Sequence, residues 1–265
     1  MATEFSKSYL SKTLEVFQEL VVRAGKASLV HYENVDLEVH SKSDDSPLTV
    51  ADLEADEIIC SGLEKAYPEI PIITEERSET HSKDFGDAPF FLVDPIDGTK
   101  EFIRHIGDYT INIALINKRR PIAGAVYAPI HQRLFLAAKS LGAFEIIGGS
   151  KMRLNPKPAN QDKLRGIASR SHMAPRAEEF LETNNIQECI YAGSSLKFCL
   201  LAAGEADIYP RYSPTMEWDT AAGHAVLNAV NGTVLKTDGT PLSYAEPNYR
   251  NGYFIAAREG VKYRS

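Results

Sequence analysis

The run Phe91-Leu92-Val93-Asp94-Pro95-Ile96-Asp97-Gly98-Thr99-Lys100-Glu101-Phe102 changes character halfway along. Its apolar start, from Phe90 to Val93, reads as a buried strand, and that strand delivers two carboxylates, Asp94 and Asp97, three residues apart. Pro95 stiffens the turn between them, and Gly98 lets backbone approach an anion closely. Hard divalent cations want oxygen ligands, and magnesium takes one or two carboxylates together with water and substrate phosphate. Two carboxylates on one tight turn suit a pair of such ions about 3.5–4 Å apart, a geometry that clamps an in-line displacement at phosphorus. If Gly98 and Thr99 open a helix, their N–H groups face the same phosphate. The competing reading is an ordinary turn, because Asp-Pro and Asp-Gly are common turn dipeptides. The rest of the chain decides between the two.

Upstream, Leu10, Leu14, Phe17, Val21 and Ala24 fall at spacings of three and four, which predicts a helix over 9–30. A loop over 46–49 precedes a second helix over 51–67, and Pro68 and Pro71 break the chain before a short strand at Ile72-Ile73. Downstream, strands over 109–117, 122–127 and 133–138 with Gly and Pro punctuation read as an antiparallel meander. The Gly- and Pro-rich segment 148–159 is read as the boundary between two lobes, 1–150 and 151–265, of one domain. The second lobe carries strands over 166–168 and 206–209 and helices over 174–184, 196–204 and 220–230. The fold class is mixed α/β.

Composition narrows the function. At 265 residues, 43% hydrophobic and 25% charged, the chain has the make-up of a globular protein and is no disordered, collagen-like or disulfide-stapled chain. No apolar run approaches the roughly 18–20 residues that cross a bilayer, and residues 1–12 lack the apolar stretch of a secretory signal. The expectation is a cytoplasmic protein, with peripheral contact to the inner membrane face left open. Net charge is −7 without a basic block, so no footprint for a nucleic-acid polymer is present. Cys60, Cys189 and Cys199 show no zinc spacing and read as buried reduced thiols.

Four motifs then occur in a fixed order: Pro47-Leu48-Thr49-Val50-Ala51-Asp52, Ile73-Thr74-Glu75-Glu76, Asp94-Pro95-Ile96-Asp97-Gly98-Thr99 and Trp218-Asp219-Thr220-Ala221-Ala222-Gly223. Together they resemble the motifs of the lithium-sensitive, magnesium-dependent phosphatase superfamily that includes the inositol monophosphatases, with a departure at Thr74, where a glycine is usual. Lys100-Glu101-Phe102 after the central motif is similar to the 3′(2′),5′-bisphosphate nucleotidases of that superfamily, the bacterial form in particular. Gly193 to Phe198 and Ala206 to Arg211 look like the nucleotide-binding segments of the same group.

The resemblance implies a layered α/β/α/β/α sandwich of the inositol monophosphatase and fructose-1,6-bisphosphatase type, monomeric or homodimeric. It further implies that Glu75, Asp94 and the carbonyl of Ile96 hold one Mg²⁺, that Asp94, Asp97 and Asp219 hold a second, and that Thr99 with Asp52 takes the proton of the attacking water. Charge counting agrees: Asp52, Glu75, Asp94, Asp97 and Asp219 together would repel, and two or three Mg²⁺ offset them and admit an anionic phosphate. Asp52 alone would read as a helix N-terminal charge, and Glu76 as a solvated neighbour of Glu75. Candidates for substrate contacts are Gly98, Thr99, His172, Ser194, Lys197, Arg211 and Asp219, while Trp218 reads as packing.

The implied activity is removal of the 3′-phosphate of adenosine 3′,5′-bisphosphate, giving AMP and phosphate, in sulfur assimilation or nucleotide turnover, with a small-molecule nucleotide as the only partner. An inositol or sugar phosphatase is the alternative within the fold, and Lys100-Glu101-Phe102 argues against it. A lithium- or nucleotide-sensing module without turnover is the alternative outside catalysis. Retention of Asp52 with Thr99 argues against that one.

Overall fold

A 26-residue helix, α1 (Lys7–Tyr32), opens the chain; the computed structural model describes residues 5–33, 39–41, 47–169 and 173–264. Ser6 caps α1 by accepting the Tyr9 N–H at 3.1 Å, and the stripe from Leu10 to Ala24 is buried as its spacing demands. β1 (Val39–Ser41) pairs antiparallel with β2 (Pro47–Thr49). The segment expected to be a loop before the second helix is therefore partly strand, and its last residue leads directly into α2 (Val50–Ala66). Proline is tolerated there because it begins a short strand and need not donate to a ladder.

The first large sheet follows the chain in order: β3 (Ile72–Thr74), β4 (Phe90–Asp97), β5 (Thr110–Asn117), β6 (Arg120–Ala128), β7 (Arg133–Ala138), β8 (Gly142–Ile147) and β9 (Ser150–Arg153). β3 lies parallel to β4 and every later pair is antiparallel, so the expected meander is present and runs two strands further. Gly148 and Gly149, read as part of a lobe boundary, turn β8 into β9, and the chain leaves this sheet after Arg153. A short helix, α3 (Thr99–Ile103), sits between β4 and β5.

The second sheet has the order β11-β10-β12-β16-β14. Its elements and their neighbours along the chain are β10 (Arg165–Ser169), α4 (Pro175–Thr183), β11 (Glu188–Ala192), α5 (Leu196–Ala203), β12 (Ile208–Arg211), β13 (Thr215–Met216), α6 (Trp218–Asn228), β14 (Thr233–Lys236), β15 (Arg250–Asn251) and β16 (Phe254–Ala257). β13 and β15 form a separate antiparallel pair.

Side-chain alternation builds the layers. Phe91 and Val93 of β4, with Ile111, Ile113 and Leu115 of β5, pack with α1 and α2 in one core. Phe90, Leu92, Ala114 and Ile116 point the other way, into a core shared with α5, α6 and the second sheet. Ile208, Ile255 and Ala257 face outward from that sheet onto Phe180 and Leu181 of α4. The result is α/β/α/β/α, and it explains why strands such as Phe90–Val93 are apolar throughout: both faces are covered. Cys60 and Cys199 are buried thiols as expected, whereas Cys189 is only partly buried; all three are free.

Candidate active site

Four of the five expected carboxylates meet where β3 and β4 end. In a regular strand, residues three apart point to opposite faces. Asp94 pairs with Asn112 and Asp97 with Thr110, so β4 spends one residue more than β5 between these pairs. That bulge restores parity, and both aspartates line one cavity of about 200 Å³ together with Glu75, Ile96 and Asp219. Glu75 comes from the parallel neighbour: it follows β3, and its N–H donates to the Val93 carbonyl at 3.2 Å. Asp219 comes from the first turn of α6, where the Met216 N–H donates to its Oδ2 at 2.9 Å.

One ligand oxygen each from Glu75, Asp94 and Asp219 lies within 4.8 Å of the others. Asp94 is buried, and both of its oxygens are without a hydrogen-bond donor among the described residues, a costly state for a carboxylate in a protein interior. Burial pushes its pKa well above the usual carboxylate range, and the negative Glu75, Asp97 and Asp219 add to that rise. Asp219 is raised well above the usual range in the same way, by burial and then by Asp97 and Glu75. Asp97 is raised to about 6 by burial, opposed by Lys197 and by the Ser195 N–H that donates to its Oδ2 at 2.6 Å. An all-oxygen, anionic donor set with an unsatisfied carboxylate at its centre fits a hard divalent cation. Asp97 stands beside the tight trio rather than within it.

Asp52 reaches the site from the opposite side, in the first turn of α2. Its Oδ2 accepts the Thr49 N–H at 2.8 Å and the Thr49 hydroxyl at 2.5 Å, while Oδ1 accepts the Thr99 hydroxyl at 3.2 Å. The helix-end reading and the catalytic reading of Asp52 thus share one carboxylate. The Thr99 hydroxyl also lies 3.2 Å from the Ile96 carbonyl.

A second cavity of about 320 Å³ adjoins the first and shares Asp97, Gly98, Lys100, Glu101 and Asp219 with it. Lys197, Arg211 and Ser194 line it, as does Ser169, the last described residue before His172; His172 itself lies outside the described residues. Lys197 is buried, with its ammonium donating to the Ser194 carbonyl at 2.7 Å, and burial lowers its pKa to about 8 against the pull of Asp97. The Arg211 guanidinium is held by the carbonyl of Ser213 at 3.2 Å and the Tyr209 hydroxyl at 3.4 Å, and no carboxylate pairs with it among the described residues. Ser194 lines the cavity and also ties two loops: its hydroxyl donates to the Asp97 carbonyl at 2.7 Å and to that of Asp108 at 2.8 Å. Gly98 has φ +96, and a Cβ there would lie 2.4 Å from the Ser194 hydroxyl, so this contact requires glycine.

Sequence reasoning missed the groups that orient the carboxylates. The Ser195 and Met216 N–H groups are main-chain donors, which no residue type announces. Asp108, which accepts the Gly193 N–H at 3.1 Å, and Arg104, which lines the second cavity, lay close to the central motif and carried only the signal of proximity.

Comparison with known proteins agrees with this geometry. The 3′(2′),5′-bisphosphate nucleotidase CysQ of Escherichia coli (strain K12) is 40% identical over 227 residues, covering 85% of this chain and 91% of that protein. The protein of the same name from Buchnera aphidicola subsp. Acyrthosiphon pisum (strain APS) is 39% identical over 235 residues, 88% of each chain. The crystal structure of CysQ from Bacteroides thetaiotaomicron, described as a bacterial member of the inositol monophosphatase family, superposes with a TM-score of 0.81 at 33% identity, over 96% of this chain and 99% of that one. The Thermotoga maritima IMPase TM1415 shares the fold, with a TM-score of 0.76 at 24% identity over 93% of this chain and 92% of that one. The profile of the inositol monophosphatase family, whose enzymes are metal-dependent, matches residues 9–263. The chain belongs to the inositol monophosphatase family.

Proposed function

We propose that this chain is a magnesium-dependent 3′(2′),5′-bisphosphate nucleotidase that hydrolyses the 3′-phosphate of adenosine 3′,5′-bisphosphate to AMP and phosphate. The observation that carries the reading is the pair of adjoining cavities: an acidic one fit for cations and a cleaved phosphate, and beside it one with buried Lys197 and with Arg211, which pairs with no carboxylate among the described residues, fit for a second phosphate on the same molecule. The relatives at about 40% identity carry the same activity in their names.

Glu75, Asp94 and the Ile96 carbonyl would hold one Mg²⁺, and Asp94, Asp97 and Asp219 a second; the charge of the cluster leaves a third acceptable. When bound, the ions neutralise the carboxylates, lower the pKa of the attacking water and stabilise the departing ribose oxygen. The chain's own contribution begins with Thr99, whose hydroxyl orients that water and relays its proton toward Asp52, 3.2 Å away. The N–H groups at Gly98 and Thr99 face the cleaved phosphate. Lys197 and Arg211 select for the nucleotide, the lysine as a point charge and the arginine as a fork suited to phosphate. Residues 1–150 supply most of the metal set and 151–265 the recognition groups and Asp219, so the two lobes form one working domain.

The test is phosphate release in Mg²⁺ from adenosine 3′,5′-bisphosphate and from inositol 1-phosphate. The proposal predicts a kcat/KM at least about 100-fold higher for the nucleotide, the scale on which a site with charged partners rejects a substrate lacking the matching group. Equal or reversed preference would make this an inositol phosphatase.

A further inference from the structure

The departure from the family pattern at Thr74 has a structural counterpart. Glu75, Asp94 and Asp219 approach within 4.8 Å, and like charges at that range push apart. Something must hold Glu75 in place, and the residue before it is tied on two sides. Thr74 is fully buried, and its hydroxyl donates to Asp56 Oδ1 at 2.5 Å. The same buried carboxylate accepts Arg77 Nε on its other oxygen at 2.7 Å, so the hydroxyl is anchored to a fixed, charge-paired group on α2. On the main-chain side, His81 Nε2 donates to the Thr74 carbonyl at 2.8 Å. The His81 ring lies stacked on Trp218, with centroids 4.7 Å apart and planes at 29°, and Trp218 immediately precedes Asp219. Thr74 therefore joins the segment bearing Glu75 to α2 through its side chain and to the start of α6 through its carbonyl. A glycine would keep the second tie and lose the first.

A buried threonine with a bonded hydroxyl is ordinary in a strand. What sets this one apart is its acceptor, a buried carboxylate for which the hydroxyl is one of few donors, and its place between two segments that each deliver a site carboxylate. We infer that Thr74 is a positioning residue: with Asp56 and His81 it preorganises Glu75 toward Asp219 for cation binding. This rests on the metal-site reading proposed above. Groups that orient metal ligands in this way are typically worth about 10–100-fold in metal affinity.

The test measures Mg²⁺ binding to the substrate-free protein by calorimetry for wild type, Thr74→Val, Thr74→Ser and His81→Phe, with melting in EDTA as a check on folding. Thr74→Val keeps shape and removes the donor, and the expected result is a dissociation constant raised about tenfold or more. Thr74→Ser, which restores the hydroxyl, should return to within about twofold of wild type. His81→Phe keeps a ring against Trp218 and removes the other tie, so it should weaken Mg²⁺ in the same direction; it decides the matter should Thr74→Val not fold. Unchanged affinity in Thr74→Val or, if that variant does not fold, in His81→Phe, or a Thr74→Ser variant as impaired as the valine, would overturn the inference. Wild type that binds no Mg²⁺ would instead overturn the metal centre itself.

Discussion

At Asp94 the cost of burial and the need for a ligand meet in one side chain. Both oxygens lack donors among the described residues, and beyond burial itself four carboxylates, Glu75, Asp97, Asp219 and Glu76, raise its pKa. Asp94→Asn removes the charge and one oxygen of the carboxylate proposed to serve both cations. Turnover should fall by at least about 10³-fold, with circular dichroism unchanged because the side chain lines the acidic cavity and belongs to none of the apolar cores; a rate within tenfold of wild type would contradict the shared-ligand role. Thr99→Ala should lower kcat by about 10²–10⁴-fold while leaving the Mg²⁺ dependence in place, since the role proposed for the hydroxyl is to handle a proton rather than a cation. A loss curable by excess Mg²⁺ would reassign Thr99 as a ligand. Residues of this kind were legible in the sequence because their chemistry resides in the side chain: Asp52, Glu75, Asp94, Asp97, Thr99 and Asp219 are all brought to the site. The donors that aim them, such as the N–H groups of Ser195 and Met216, carry no such signature.

The elements that position these residues follow from simple patterns where both faces or one stripe are apolar, and escape where polar groups are buried in pairs. The start of β4 was readable from its unbroken apolar run, β5 from an apolar run interrupted only at Asn112, and α1 from its spacing. β8 was not, because it buries Glu145, which is paired with Arg133 at 2.5 Å, and a charged residue inside a strand breaks the expected alternation. The β4 bulge was equally silent: Pro95 signalled a turn, and only the pairing with β5 shows that Asp94 and Asp97 share a face. The turn from Gly193 to Lys197 is the second positioning element. It gives its Ser195 N–H to Asp97 and the Ser195 hydroxyl to the Asp219 carbonyl, and Asp108 accepts its Gly193 N–H. A Cβ at Gly193 would lie 2.4 Å from the Asp108 carbonyl oxygen. Gly193→Ala should therefore destabilise the fold by about 1–3 kcal/mol in urea titration, the usual cost of overpacking, and lower kcat by displacing Ser195 from Asp97. Wild-type stability and rate in this variant would show that the turn yields freely.

Across the whole molecule, the five layers bring the ends of β3 and β4, the start of α2 and the start of α6 to one point, and that point is strongly acidic. In the metal-free protein Asp97 is shifted from 3.8 to about 6, and Asp94 and Asp219 are raised as well. The folded state then keeps protons that the unfolded chain has released. Their contribution to stability is full below the unfolded pKa near 3.8 and is lost as pH rises through about 6 and beyond. The stabilisation conferred by Mg²⁺, read as the melting temperature with Mg²⁺ minus that with EDTA, should accordingly grow between about pH 5 and pH 8. A constant difference would mean that the cluster does not titrate as a metal site. The layered architecture itself was legible only through the four motifs, since the later strands β13 to β16 are short and weakly patterned. What the architecture adds is the second cavity, which Arg211 lines together with Asp97 and Asp219 of the acidic cluster. The most direct measurement is kcat/KM for adenosine 3′,5′-bisphosphate and adenosine 3′-monophosphate, in wild type and in Arg211→Ala. Loss of a charge-assisted phosphate contact should cost about 1.5–3 kcal/mol, or about 10- to 150-fold, on the bisphosphate and leave the monophosphate nearly unchanged. An equal fall on both substrates would contradict recognition of a second phosphate in this cavity.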